Sequence, residues 1–353
     1  MPSLSPRLDK ILENKILNGA FDLWQRGITT TATAASDTYL ADRWQTNAWT
    51  GGISVTTSRS VDVPTLAQSS YQSSYSLLIT NNTSVSQSLL TTYSMEGYDY
   101  APIHGQKIRL QFWVKSSIAG TYSVGLKNGA STRSWVSTYT IPTANTWTKI
   151  TKDVTLDSTG SWSFDNTAGM RVMFGISNNP SVPVGISTST HDTWQNGDFR
   201  ISNSVTAAMT TTAGATFQLA QVALIPGDFS NQGTNVDIPF LRAGGSYSNE
   251  LRMCMRYYQI IDVSGNVVGF SSTATSGIGP QGILFPTEMR ATPNLSLTSN
   301  TINLINITAN TSSSQSLTVQ GQSSRHGRMY PSGTSNGIVY AYNALPVLAD
   351  AEL

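Results

Sequence analysis

Lys107–Ser116, KIRLQFWVKS, is the stretch on which the fold class turns. Ile108, Leu110, Phe112 and Val114 occupy one parity, and Arg109, Gln111, Trp113 and Lys115 occupy the other. Successive side chains of a strand leave on opposite faces, whereas a helix needs apolar residues three and four apart. The stretch therefore reads as a strand with one apolar face and one face of cations, amide and indole. Outward from it, TYSVGLKNG (121–129) repeats the alternation with Tyr122, Val124 and Leu126 and closes on a Lys-Asn-Gly turn. NTWTKITKDVTL (145–156), GMRVMFGIS (169–177) and FQLAQVALIPG (217–227) continue it, and 178–215 reads as a long connection with one short strand. Many strands separated by turn residues, with no long helix from 18 to 228, predict an all-β fold with a β-sandwich.

The flanks read differently. Residues 1–17 predict a short helix, with Ser5 as cap, Pro6 in the first position, and Leu4, Leu8, Ile11 and Leu12 as its apolar stripe. So short a stripe cannot hold a helix alone, so it must pack on its own domain, a sister chain or another protein. Composition shifts to Gly, Asn, Ser and Pro over 229–250, which reads as a surface linker. SNELRMCMRYYQII then predicts one or two helical turns capped by Ser248 or Asn249, followed by a strand. Strand patterns in 282–299, 301–313 and 336–348 give a small C-terminal β domain over 251–353. Met253, Cys254, Met255, Tyr257 and Tyr258 read as an apolar hinge between domains or chains.

Charged residues make up only 12% of the 353 residues, and the net charge is +1. With no basic block to neutralise phosphates, nucleic acid is set aside as a partner. Cys254 is the sole cysteine, which excludes an internal disulfide and a Cys-type metal site. No apolar run reaches spanning length and the N-terminus lacks a signal-peptide layout, so synthesis in a cytoplasm without membrane insertion is expected.

ILNGAFDLWQRG (16–27), YLADRW (39–44), FQLAQVALIPG, ELRMCMRYYQ (250–259), FPTEMRATPNL (285–295) and the closing ADAEL together resemble a family of bacteriophage virion proteins. Its members are tail-fibre, receptor-binding, head-fibre and decoration proteins with a jelly roll like a carbohydrate-binding module. The resemblance runs in order over nearly the whole chain from Ile16. It implies a jelly roll over 18–228, a small C-terminal β domain, a homotrimer, and a place on the virion surface with other virion proteins held through the N-terminal segment. It also implies contact with bacterial surface polysaccharide, or alternatively purely structural contacts as head fibre, capsid decoration or adaptor. Jelly rolls of this type often hold a structural calcium through carboxylates near the first and last strands. Here Gln218–Val222 offers no acid, so no cofactor is expected.

Sugars present apolar faces that stack on aromatic rings, with amides and guanidinium groups satisfying the hydroxyls. Trp113 beside Arg109, Gln111 and Lys115 is the leading glycan-contact candidate, joined by Trp135 and Tyr139 from RSWVSTYTI and by Arg171 from MRVMF. Trp49, Trp162 and Trp194 sit near Gly, Ser, Thr and Asn turns, where loop-tip contact is available. The competing reading buries these rings in a second core layer or a subunit contact.

Catalysis is not expected. A glycan-degrading spike needs a convergent carboxylate pair, and Asp22, Asp42, Glu96, Asp99, Asp153, Asp157, Asp165, Asp192 and Asp198 form no such motif. His104, His191 and His326 are isolated and read as surface loop residues, with no metal spacing and no triad. The signature stretches instead read as a frame: Asp22, Trp24, Arg26, Asp42, Arg43 and Trp44 are expected in the opening strands as a hydrogen-bonded cluster, with Asp42 paired to Arg26.

Overall fold

The computed structural model describes residues 13–33, 36–48, 52–181, 183–230, 238–262, 267–271, 281–297, 301–306, 311–331, 337–341 and 346–353. The chain divides into two compact units, Met1–Leu251 with Leu353, and Arg252–Glu352.

The first unit is an antiparallel β-sandwich of the jelly-roll kind. Its strands are β1 (Thr29–Thr33), β2 (Ser36–Tyr39), β3 (Trp44–Ala48), β4 (Ser54–Ser60), β5 (Ser76–Asn81), β6 (Leu89–Glu96), β7 (Lys107–Ser116) and β8 (Gly120–Asn128). They continue with β9 (Arg133–Ile141), β10 (Thr148–Thr155), β11 (Ala168–Ser177), the short β12 (Ser187–Thr188), β13 (Gln195–Asn196) and β14 (Ile201–Ser202), and β15 (Thr216–Pro226). Two single helical turns interrupt them, α1 (Leu66–Ser69) and α2 (Gly97–Tyr100). A six-stranded sheet runs β1-β4-β5-β15-β7-β10 and a seven-stranded sheet runs β13-β9-β8-β11-β6-β3-β2.

The alternation of KIRLQFWVKS does as expected on one side. Ile108, Leu110, Phe112 and Val114 are buried, and Phe112 meets Phe174 of the opposite sheet edge-on, with centroids 4.9 Å apart. Trp44 completes this inter-sheet layer against Phe21, Tyr93 and Phe174, at 4.8, 5.4 and 5.9 Å. Burying rings of this size is the main source of stability in such a sandwich.

The flanking expectations need correction. Residues 1–12 of the expected helix lie outside the described residues, and 13–16 are not helical. They lie beside β15, where Lys15 N donates to Leu224 O at 2.9 Å and the Asn14 amide reaches the carbonyls of Val222 and Leu241. Nor does 229–250 run wholly over the surface where it is described: 245–249 are exposed, but Phe229, Ile238 and Phe240 are buried against Ala20, Ala223 and Ile225 on the outside of the six-stranded sheet. The composition suggested a linker, but three well-spaced apolar side chains are enough to cover a sheet face.

α3 (Tyr247–Met255) leads into the second unit, and its first turn is capped by Ser246, whose Oγ accepts from Asn249 N at 3.3 Å. The second unit contains β16 (Tyr258–Asp262), β17 (Val267–Ser271), β18 (Gln281–Leu284), β19 (Asn294–Leu297), β20 (Thr301–Asn306), β21 (Thr311–Gly321), β22 (His326–Pro331), β23 (Gly337–Ala341) and β24 (Pro346–Asp350). They form a three-stranded sheet β16-β24-β19 and a six-stranded sheet β17-β23-β20-β21-β22-β18. Ile261, Ile283, Phe285, Met289, Leu295, Met329 and Val347 make its core. Among the described residues no helix is long and apolar enough to cross a membrane.

Candidate functional site

The six glycan-contact candidates do not share a face. Trp113 sits on the outer side of the six-stranded sheet, opposite Lys149 and Ala220, and is only 8% exposed. Arg109 beside it is fully buried, with Nε and Nη2 on the Asp153 carboxylate at 2.7 and 2.8 Å and its guanidinium over the Phe229 ring. The Gln111 amide donates to Ile238 O at 2.6 Å. This face is therefore a second core layer, met at Arg109 by the Phe229 ring and at Gln111 by the Ile238 carbonyl, which corrects the exposed platform expected there. Lys115, at its edge, is paired with Asp62 and lies 5.6 Å from the Trp147 ring centroid.

Trp135 and Tyr139 do share a parity, but it is the core-facing one. Trp135 stands opposite Leu126 and Tyr139 opposite Tyr122, whose ring it stacks on at 5.9 Å, and both side chains are buried. Burial pushes the Tyr139 phenol well above its usual range. Only Arg171 faces outward on the seven-stranded sheet, between Ser94 of β6 and Lys127 of β8.

The signature cluster is placed by turns rather than by strand alternation. Asn18 and Phe21 adopt left-handed backbone (φ 53° and 56°), as does Arg43 (φ 71°), so the opening stretch is a folded loop and not a strand. Asn18 Nδ2 donates to the carbonyls of Leu23 and Asp42 at 2.9 and 3.0 Å, and Trp44 Nε1 donates to Asn18 O at 3.1 Å. Trp24 Nε1 donates to Phe21 O. The Asp42 carboxylate accepts from Gln25 N and Nε2, Arg26 lies over the Tyr39 ring, and Arg43 donates to Ser94 O. Asp22 is held by Arg242, which also binds Glu250.

A group of half-buried and exposed rings lies at one end of the sandwich. There the β6–β7 connection carries Tyr100 and His104, the β10–β11 connection carries Trp162 and Phe164, and the segment before β13 carries Trp194. Tyr100 is buried beneath them and stacks on Trp162 at 4.8 Å, and Trp162 meets Trp194 edge-on at 5.8 Å. The Tyr100 hydroxyl and His104 Nδ1 are 3.1 Å apart, and burial together with the Asp157 charge pushes the phenol up. Trp162 Nε1 donates to Thr159 O at 2.7 Å and Trp194 Nε1 to Thr155 O at 2.8 Å, so each indole is fixed by its own polar edge. Phe164 is 47% exposed and Tyr98, nearby in α2, 58%. Polar groups border the rings: Arg133 donates to Asp157 Oδ2 at 2.5 Å and to Asn196 Oδ1 at 2.7 Å. Burial would raise Asp157, but the hydrogen bonds from Arg133 and Thr159 hold its carboxyl below the usual range. Of these residues the sequence singled out Trp162 and Trp194. Phe164 was missed, although its parity with Trp162 in SWSFDN, a turn-rich stretch without strand pattern, was the available signal. Trp49 lies outside the described residues.

The acids serve local structure. Besides Asp153 and Asp157, Asp165 accepts from Thr167 N and Oγ1, and Asp198 is paired with Lys127 and Arg200. His191 Nε2 lies 2.6 Å from Ser202 Oγ and His326 Nδ1 lies 2.8 Å from Ser323 Oγ. Among the described residues there is no group of three His, Cys, Asp or Glu suited to a metal. A calcium at the last strand does not fit the residues present. Gln221 Nε2 donates to Ser73 Oγ, Ser69 Oγ and Tyr71 O at 2.8, 3.0 and 3.3 Å, so an amide donor stands among the oxygens a cation would require.

No protein-family model matches the sequence, and none of the curated proteins does. Among solved structures, an arabinose-bound α-L-arabinofuranosidase is 13% identical with a TM-score of 0.35, over 70% of this chain and 30% of that one. The enzymatically active domain of tailspike protein 4 of bacteriophage CBA120 is 13% identical with a TM-score of 0.34, over 61% and 21%. A family 4 carbohydrate-binding module is 9% identical with a TM-score of 0.30, over 60% of this chain and 99% of the module. This chain thus spans under a third of the first two. The jelly-roll architecture itself is read from the strand pairing described above.

Proposed function

We propose that this protein is a bacteriophage virion appendage component of the tail-fibre or receptor-binding kind, whose jelly-roll unit contacts host-surface glycans during adsorption. The observation that carries the reading is the end-loop cluster of Trp162, Phe164 and Trp194, with indole N–H groups tied to backbone and ring faces left partly open. Rings fixed before a ligand arrives lose little freedom on binding, which suits weak recognition of flexible saccharides. Asn196 and Arg133 at the border supply partners for hydroxyls. In this reading the protein binds without catalysis, works as a homotrimer on the virion surface after synthesis in the host cytoplasm, and gains avidity from several copies.

The test is adsorption. Purified protein should bind host cells and block attachment of the phage that encodes it, and Phe164→Ala with Trp162→Ala should remove both effects in protein that still unfolds cooperatively, at the lower Tm that uncovering Tyr100 brings. Wild-type protein that neither binds cells nor blocks attachment would favour the second reading, a head fibre, decoration or adaptor. Exposed Phe164 and Tyr98 also suit that reading, since aromatic rings anchor protein interfaces. Shortened polysaccharide chains after incubation would overturn the non-catalytic part.

A further inference from the structure

A second feature lies on the outer face of the seven-stranded sheet, apart from the ring cluster. The segment 186–205 packs on this face, with Ile186 and Ile201 against Leu90 and Met173. Beside it remains a cleft of about 180 Å³ lined by Asp37, Gln45, Asn47 and Thr92 on one side and Lys127, Arg171 and Arg200 on the other, with Leu90, Met173 and Leu353 completing it. Three cations converging is unusual in a chain with 12% charged residues. Asp198 accounts for two of them, bound by Lys127 Nζ at 2.5 Å and by Arg200 Nε and Nη2 at 3.0 and 2.5 Å. Asp37 is engaged by Asn47 Nδ2 at 2.6 Å, and Asn47 Oδ1 accepts from Thr92 Oγ1 at 2.6 Å.

Arg171 is different. Its Nε reaches Ser94 Oγ at 3.3 Å, and its two terminal nitrogens have no partner among the described residues. Lys127 is 1% exposed, and burial draws it down to about 8, with the charges of Arg200 and Arg171 adding to the depression against Asp198. A buried, mutually repelling cation set is costly to keep and would be relieved by an incoming anion.

We propose that this cleft takes the carboxylate of an acidic saccharide, with the Arg171 fork as its anchor. A planar guanidinium with both terminal nitrogens free matches a carboxylate in the bidentate arrangement. The amide of Gln45 and the hydroxyl of Thr92 face the neighbouring sugar hydroxyls. Arg171 follows the β10–β11 connection by three residues, about 10 Å along the strand from Ala168, so a single glycan chain can engage both features. This inference rests on the glycan reading above and sharpens it from sugar in general to acidic sugar.

The experiment is an array of bacterial polysaccharides bearing uronic acid, sialic acid or pyruvate ketal groups, each printed beside its carboxyl-reduced counterpart, with a glycerol-phosphate teichoic acid included. The full chain should bind at least one acidic polymer about ten-fold better than its reduced form, equivalent to about 1.4 kcal/mol. Arg171→Gln should abolish that preference at unchanged Tm while retaining binding to the reduced form, and Arg171→Lys should restore it only in part. If neutral polymers bind and no acidic polymer exceeds its counterpart, the acidic-saccharide inference falls while the glycan reading stands. Silence across the whole array removes both. Binding confined to the phosphate polymer, or an acid preference that survives Arg171→Gln, overturns the carboxylate assignment.

Discussion

Asp22, in the opening signature stretch, is held by the guanidinium of Arg242, a residue 220 positions further along the chain. The same guanidinium binds the fully buried Glu250 at 2.5 Å, and Glu250 Oε1 in turn accepts from Asn18 N at 2.7 Å. The first and last parts of the jelly-roll unit are thus locked by one cation and two carboxylates. Burial raises the Glu250 carboxyl, and Arg242 opposes it.

Arg242→Met leaves Glu250 buried without its cation, which costs about 3–5 kcal/mol in the usual case of a broken buried pair. Urea denaturation should show that loss. Adding Glu250→Gln should recover part of it, and a double variant as unstable as the single one would show that the charge is not the cause.

Trp113→Ala tests the corrected assignment of the six-stranded sheet. Emptying a buried indole site costs about 3–5 kcal/mol. The variant should unfold at lower denaturant yet bind host cells normally below its transition. A stable variant that fails only in binding would return Trp113 to the glycan surface.

Lys127 supplies a pH test. Its folded pKa lies at about 8, below the ordinary lysine value of roughly 10.4. Between those values the unfolded chain holds a proton that the folded one has released, so this group's contribution to stability grows as pH rises and is lost as pH falls through about 8. Against Lys127→Met as reference, wild-type Tm should gain between pH 7 and pH 10. A constant difference across that range would show that the amine is not desolvated.

Gly97 should prove necessary for the ring cluster. A Cβ there would stand 2.7 Å from the backbone of both Ser163 and Asp165, the residues flanking Phe164. Gly97→Ala should cost about 1–3 kcal/mol through the forced backbone shift. It should also weaken cell binding more than Trp113→Ala does under folding conditions, as read by titration on host cells. Equal binding by the two variants would detach the rings from recognition.

Alternation at Ile108–Val114 was sufficient to place β7 and its buried side, because a half-apolar strand has one stable way to face a core. The same reasoning placed β8, β10, β11 and β15. It failed at Asn18–Gly27, where left-handed backbone at Asn18 and Phe21 breaks the period of two; the Asn18-Gly19 pair is a turn signal, but a left-handed phenylalanine at 21 has none. For Trp135 and Tyr139 the shared parity was legible but its direction was not, since a period of two does not say which side is core.

The local pattern by itself determined the strands, the two-sheet class and the aromatic turns, because those depend on neighbours one to four residues apart. Only the tertiary structure decided which faces remain open. Phe229 and Ile238 meet Arg109 and Gln111 from more than a hundred positions away, while Trp162 and Trp194 are brought together from separate connections. Exposure is set by what the rest of the chain covers, and contacts at such separations leave no trace in the period of a single strand.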